Sequence, residues 1–339
     1  MKKVTVDDLA QKLGVSKSTI SRALNGSARI SAKTREAVQK LAYEMGYYEN
    51  AFSAAELANP LPANIGVCLA DLNNPFSIQI IKGVQDTCAR YGYNLILADS
   101  DMDEAREVRN IQNFLQMGVK GMVIHAAFAD THEKVAQMAL DIPQVYLSRK
   151  YRIGEANFVC VDTREALYTA TEYLIQLGHK RIAFVGASPK FEDRVEGYKK
   201  AMAKYKLPVW DSDIKVCAAT RLSGYNAMRE LMQSGMKYTA VACVNDFAAI
   251  GVMEYIKKHG YRVPEDYSVT GLDNLEISSY EGVNLTTVTQ PSYEIGMAAA
   301  DILIDKIRGH DLSTDAYRIL ELSFVIRKSC MRLSDQPSF

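Results

Sequence analysis

The sequence predicts an all-α helix-turn-helix segment at the N-terminus, followed by a longer α/β region of two doubly wound parallel-sheet subdomains. Three observations carry this expectation. Apolar residues over 6–24 recur at helical spacing on either side of a glycine. From Asn64 onward, short β-branched runs alternate with stretches of helical period. Positive charge is confined to one end: residues 1–40 hold nine lysines and arginines against three acids, a net of +6 on a chain whose total is zero. Charge gathered at one end implies a polyanionic partner for that end alone.

Val6, Leu9, Ala10 and Leu13 fall at i, i+3, i+4 and i+7, so the first helix has one apolar face. Thr5 is placed to cap it, and Asp8 to complete a capping box. Gly14 permits the tight turn. Ser16 then caps a second helix with Ile20, Ala23 and Leu24 inside and Lys17, Ser18, Ser21 and Arg22 outside. No acid lies between Lys12 and Arg35. A short helix with a polar, basic outer face suits the major groove of DNA. A small helical subdomain with a solvated face is the plain alternative, and the segregated charge argues against it. Ser31 caps a third helix, with Val38, Leu41, Ala42 and Met45 inward and Gly46 at its end.

Residues 47–63 read as a linker closing in Asn59-Pro60-Leu61-Pro62. Within it, residues 51–58 have helical propensity but are too few to hold a helix alone. Strands are expected at 65–70, 94–98, 121–125 and 145–147, and a second set at 158–161, 181–186, 214–217, 240–244 and 268–272. Continuous apolar runs joined by crossover helices indicate parallel sheets covered on both faces, and two sets indicate two subdomains. Open α/β sheets bind ligands beyond the carboxyl ends of their strands. Asn245-Asp246 ends one such strand and Asp273 another, although Asp246 would serve equally as a helix N-cap.

The chain of 339 residues, 48% hydrophobic and 24% charged, is long enough for two or three cores. Its apolar runs are strand-length, so no membrane partner is expected. The opening residues carry no apolar signal core, which points to a cytoplasmic protein. The six cysteines show no CxxC spacing. Cys68, Cys160, Cys217 and Cys243 lie in strand-like runs and Cys88 in a helix, as buried thiols would. His125, His132, His259 and His310 are scattered without metal-ligand spacing. Neither a phosphate-cradling glycine loop nor a G-x-S-x-G elbow occurs. No cofactor or metal is expected, and an enzyme is the poorer reading.

The segments Val4–Ala10, Gly14–Gly26 and Ser31–Val38 resemble the lac-repressor family of bacterial transcription regulators, and the resemblance continues to about Cys330. It implies a helix-turn-helix DNA-binding domain over 1–46 and a hinge over 47–63. The remainder, 64–339, would be a periplasmic-binding-protein-like effector-binding and dimerisation domain. Its N-subdomain would span about 64–161 and 290–322, and its C-subdomain about 162–289 and 323–339. By position, Lys17, Ser18 and Arg22 would read base edges, with Thr19 and Ser21 nearer phosphate. Asn25, Ser31 and Thr34 would contact phosphate, and Thr5 and Ser16 would join this DNA-facing set. Leu57 would wedge into the minor groove. The hinge departs from the family: Glu49 stands where a proline is usual, and Ala54-Ala55-Glu56-Leu57 lacks the usual arginine.

The resemblance also implies an effector pocket of Asn74, Phe76, Ser148, Arg149, Arg194, Asn245, Asp246 and Asp273, in which Arg194 would grip hydroxyls or carboxylates. His179 would be structural. Ser148 replaces a frequent aspartate and is followed by Arg149, while Ala219, beside Thr220 and Arg221, replaces a stacking aromatic. That pocket would suit a sugar acid or phosphorylated sugar better than a neutral hexose. The implied function is repression of a carbohydrate-utilisation operon by a homodimer on a near-palindromic double-stranded operator. A sugar-like effector would control it, and a protein corepressor is a further partner found in the family. The chain ends soon after Arg327 without a leucine heptad tail, which favours a dimer over a tail-made tetramer. The alternative is a sugar-binding receptor of periplasmic-binding-protein type without DNA function, against which the basic arm stands.

Overall fold

The computed structural model describes residues 4–24, 30–45, 47, 63–125, 134–135, 137–139, 141–147, 156–188, 191–309 and 316–335. The chain divides into two compact units, Met1–Pro62 and Ala63–Phe339.

The first unit contains α1 (Val6–Leu13), α2 (Lys17–Leu24) and α3 (Ala32–Glu44). The Thr5 hydroxyl accepts from the Asp8 N–H, and the Thr5 N–H donates 2.7 Å to the Asp8 carboxylate, completing the capping box. Gly14 closes α1 in the left-handed conformation at φ 66°, ψ 31°, where a Cβ would be strained. The Ser16 hydroxyl accepts from the Thr19 N–H at 3.1 Å, and that of Ser31 from the Thr34 N–H at 3.2 Å, so both opening turns are capped. Leu9, Ile20, Ala23, Val38 and Ala42 are fully buried in one small core. Burying a side chain such as Leu9 or Ile20 is worth about 1.5–3 kcal/mol, which holds helices too short to persist alone.

The second unit contains two six-stranded sheets. The first is built from β1 (Asn64–Leu69), β2 (Asn94–Asp99), β3 (Gly121–Ile124), β4 (Gln144–Tyr146), β5 (Phe158–Val161) and β11 (Tyr317–Leu320), in the order β11-β5-β4-β3-β1-β2. The second is built from β6 (Ile182–Ala187), β7 (Ile214–Val216), β8 (Ala240–Cys243), β9 (Ser268–Asp273), β10 (Thr286–Thr289) and β12 (Ser323–Val325), in the order β12-β10-β9-β8-β6-β7. Every pairing is parallel except that of β12 with β10. The central strands β1, β3, β6 and β8 are buried almost throughout, as expected where helices cover both faces. Those helices are α4 (Pro75–Arg90), α5 (Glu104–Gln116), α6 (Thr163–Gln176), α7 (Glu192–Lys204), α8 (Arg221–Gln233), α9 (Asp246–Lys258) and α10 (Ser292–Ile307).

Two differences from the sequence expectation, at β5 and at the strands β10 to β12, have physical causes. Phe158–Val161 falls with the second strand set in sequence, but β5 pairs with β4 and β11 and so belongs to the first sheet. The strands β10, β11 and β12 carry no long apolar run. β10 reads Thr-Thr-Val-Thr, and three of the four residues of β11 are exposed, so periodicity does not reveal them. Neighbouring strands rather than propensity hold these segments extended. The chain passes between sheets three times: from β5 to α6, from β10 to α10, and from β11 to β12.

His179 is fully buried. One ring nitrogen meets Thr239 Oγ1 at 2.9 Å, and the other meets Ser268 Oγ at 3.0 Å and the Met331 carbonyl at 3.1 Å. It ties the loop before β6 to β9 and the C-terminal segment, a structural role. The six cysteines are free thiols, four buried and two half-buried. Among the described residues no helix is long and apolar enough to cross a membrane, and no three His, Cys, Asp or Glu residues gather as a metal site would need.

Candidate functional site

The first unit offers a continuous polar helix face. Lys17, Ser18, Ser21 and Arg22 are exposed along α2, because Ile20 and Ala23 on the opposite side are buried. The hydroxyls of Ser16, Ser18 and Thr19 cluster at the helix start, with Ser16 Oγ 2.8 Å from both others. Lys17 reaches back to Asp7 on α1 at 2.6 Å. Both partners are well exposed, so the pair is weak and exchange of Asp7 for an external anion is easy. The Ser31 and Thr34 hydroxyls meet at 2.8 Å at the start of α3. Thr5 is exposed at the start of α1. Asn25 and Leu57 lie outside the described residues.

The second unit presents two equivalent strand-order reversals. In the first sheet, order reverses between β1 and β3; in the second, between β6 and β8. Such switch points open a crevice beyond the carboxyl ends of the strands. The same kind of backbone bond closes each: the His125 N–H donates 2.9 Å to the Cys68 carbonyl, and the Val244 N–H donates 2.8 Å to that of Val185. The groups just beyond are Asn74, Phe76 and His125 on one side, and Arg194, Val244 and Asn245 on the other.

Arg194, in the first turn of α7, donates 2.8 Å to the Val244 carbonyl, and its guanidinium lies 4.6 Å from the ring centre of Phe191. Asp273, at the end of β9, sits at φ 120°, a region few side chains adopt. It accepts 2.5 Å from the Gln290 amide, on the passage from β10 to α10. Burial pushes the Asp273 carboxyl up to about 7 even though Arg194 nearby favours its ionised form. His125 interacts electrostatically with Arg194 across the two sheets, and burial together with that cation holds the imidazole down at about 4. Among the described residues its Nδ1, which is buried, has no hydrogen-bond partner. The Ser188 hydroxyl, beyond β6, is in the same condition.

Arg194 and Asp273 are therefore brought together from separate elements. Asn74 caps α4, accepting from the Phe76 N–H at 3.0 Å, and Phe76 is half-buried against the first subdomain's core. Asn245, not Asp246, is the N-cap of α9; it accepts from the Ala248 N–H at 2.9 Å and donates to the Ala219 carbonyl at 3.1 Å. Asp246, expected to face the ligand, is fully buried and accepts from the Leu275 N–H at 2.8 Å, Ser278 Oγ at 2.6 Å and Thr287 Oγ1 at 2.5 Å. Gly271 makes room for it, since a Cβ there would stand 2.3 Å from Asp246 Oδ1. Burial still raises the Asp246 carboxyl to about 6.

Arg221, expected near the pocket as an extra cation, is instead exposed and paired with Glu254 on α9. Ser148 and Arg149 lie outside the described residues. Sequence reasoning missed His125 and Gln290. His125 follows β3, a strand legible in the sequence, and that position could have found it; Gln290 follows β10, which periodicity does not reveal.

Two separate cavities contain neither Arg194 nor Asp273. One, of about 520 Å³, is lined by Ile250, Met253, Lys257 and Val283. The other, of about 400 Å³, lies at the chain passages and is lined by Asp162, Leu320 and Phe324.

Comparison with known proteins agrees with this architecture. Residues 5–50 match the family described as "Bacterial regulatory proteins, lacI family", and residues 63–328 match "Periplasmic binding proteins and sugar binding domain of LacI family". Catabolite control protein A of Priestia megaterium is 32% identical over 305 residues, covering 88% of this chain and 91% of that protein. The ribose operon repressor of Haemophilus influenzae is 29% identical, covering 97% of this chain and 99% of that protein. The crystal structure of the lac repressor dimer bound to operator and the anti-inducer ONPF superimposes with a TM-score of 0.75 at 26% identity, covering 97% of this chain and 100% of that one. The N-terminal helical segment and the paired-sheet region thus each match this family in sequence, and the whole chain matches a lac repressor in structure. The chain belongs to the lacI family of bacterial regulatory proteins, DNA-binding transcriptional regulators rather than enzymes.

Proposed function

We propose that this regulator represses a carbohydrate-utilisation operon from the cytoplasm, as a homodimer on a near-palindromic operator. One helix-turn-helix reads a half-site, so two-fold symmetry is required for a complete one. Lys17, Ser18 and Arg22 reach base edges, and Thr5, Ser16, Thr19, Ser21, Asn25, Ser31 and Thr34 position the helix on phosphate. The exposed, acid-free outer face of α2 supports this division. Leu57 is the hinge residue assigned to the minor groove.

The effector occupies the crevice between the two switch points. The observation that carries this reading is the convergence of Arg194, Asp273 and His125 from both sheets on one place. Asn74, Phe76, Ser148, Arg149 and Asn245 complete the pocket, and Asp246 supports it from behind. A guanidinium with a carboxyl that is only half-ionised near neutrality leaves net positive charge, which favours a sugar acid or sugar phosphate over a neutral hexose. Arg221 does not add to that preference. The effector acts only through its differential affinity for the conformations of the two subdomains.

The test is selection of bound sequences from a randomised DNA library by the full chain at moderate salt. An enriched near-palindrome, with affinity falling steeply with salt, supports the reading. Absence of enrichment with and without sugar acids and sugar phosphates refutes effector-only control and directs attention to a protein corepressor. Enrichment of a single half-site refutes the dimer.

A further inference from the structure

The start of α2 holds a cation that its own helix does not favour. Lys17 is the first residue of α2, where the positive end of the helix dipole opposes an ammonium. The first turn of α2 has no acid to offset it. The carboxylate comes instead from α1: Asp7 Oδ1 lies 2.6 Å and Oδ2 2.7 Å from Lys17 Nζ. The neighbouring Asp8 is committed to the capping box, accepting from the Thr5 N–H and hydroxyl. The Lys17 and Asp7 side chains are 70% and 57% exposed, so their pair adds little to the stability of the fold. Two charged groups that packing does not need thus meet on the face assigned to DNA.

We propose that Asp7 is a positioning residue for operator choice: it takes the anion place on Lys17 that a phosphate would otherwise fill, and leaves the ammonium to a base edge. This rests on α2 being the reading helix with Lys17 at base edges. An ammonium has three donors. With both Asp7 oxygens in reach, a donor remains for an acceptor such as O6 or N7 of guanine. A neutral base edge takes that donor with the pair intact. A phosphate meets the Asp7 carboxylate as it approaches, and like charges repel. By moving to phosphate Lys17 exchanges one anion for another, and gains only the difference between them. Phosphate contact is the part of DNA binding that ignores sequence. Asp7 therefore weakens binding to random DNA more than binding to the operator, raising discrimination through a repulsive element.

The test compares the full native chain with Asp7→Asn, Lys17→Gln and the double variant. Fluorescence anisotropy on a labelled random-sequence duplex is read from about 50 to about 200 mM salt. D7N is expected to bind that duplex about threefold or more tightly than the native chain, with a salt slope steeper by about one per arm. In the K17Q background the same change should leave the slope as it was, since no ammonium is there to move. Selection from a randomised library supplies the second readout. Both D7N and K17Q are expected to weaken the same base preference in each half-site, by about fivefold or more.

A slope that D7N steepens equally with and without Lys17 overturns the proposal, because Asp7 then acts by bulk charge alone. A D7N chain with native slope and native base preferences overturns it as well, and leaves Lys17 standing as a base reader if K17Q has lost a preference. A K17Q chain that keeps every preference of the native chain, or a native chain that selects no sequence, overturns both the proposal and the base-reading role of Lys17.

Discussion

Replacing Asp273 by asparagine is expected to stabilise the protein, although the residue lines the crevice. The carboxyl is 7% exposed, and burial raises it from an ordinary 3.8 to about 7. The unfolded chain therefore releases this proton first as pH rises, and stability falls between about pH 4 and pH 7 and stays reduced above that. Each pH unit of that interval is worth about 1.4 kcal/mol, so ionised Asp273 destabilises the fold by about 4 kcal/mol at pH 8. Asparagine keeps the oxygen that accepts from Gln290 and tolerates positive φ as aspartate does. Urea denaturation of the native chain and Asp273→Asn at pH 4 and pH 8 measures the difference. A gain of about 4 kcal/mol at pH 8 should shrink below about 1 kcal/mol at pH 4. A gain of the same size at both values, or a loss at pH 8, would refute the reasoning, because Asp273 would then be held ionised by Arg194. A stabilising change at a residue proposed to bind the effector is what a site built against stability should show.

Other substitutions separate structural from functional roles. Asp246→Ala orphans the Leu275 N–H and the Ser278 and Thr287 hydroxyls. At about 1–3 kcal/mol for each buried donor, it should cost about 3–9 kcal/mol in denaturation, and a loss under about 1 kcal/mol with altered ligand binding would return Asp246 to the pocket. Arg22→Ala removes an exposed side chain, so folding should be unchanged while operator discrimination drops by about 1–3 kcal/mol at one base pair; equal selectivity in a competition gel shift would remove Arg22 from the base-reading set. Arg194→Ala should abolish the effector response while leaving operator affinity in the absence of effector within about threefold, because Arg194 is not among the residues assigned to DNA. Calorimetry showing native effector binding would sink that assignment.

What the sequence by itself determined is local. The caps at Thr5, Ser16 and Ser31, the left-handed turn at Gly14 and the inward set of Leu9, Ile20 and Ala23 are short-range patterns, and the structure has each of them. The long apolar strands β1, β3, β6 and β8 are legible for a related reason: a parallel strand buried on both faces must be apolar along its length. Arg194 and Asp273 are visible in the sequence only through resemblance and strand-end position. Only the tertiary structure decided which strand ends meet. In the sequence His125 is one of several scattered histidines; the strand order sets it beside the reversal between β1 and β3 and within the field of Arg194. Thr286–Thr289 is a strand because β9 and β12 pair with it, and that strand delivers Gln290 to Asp273. The donors that enclose Asp246 come from positions 275, 278 and 287, far along the chain. Hydrophobic periodicity reports which face of an element is buried; it carries no information on the partners of a polar group, because those are set by contacts distant in sequence.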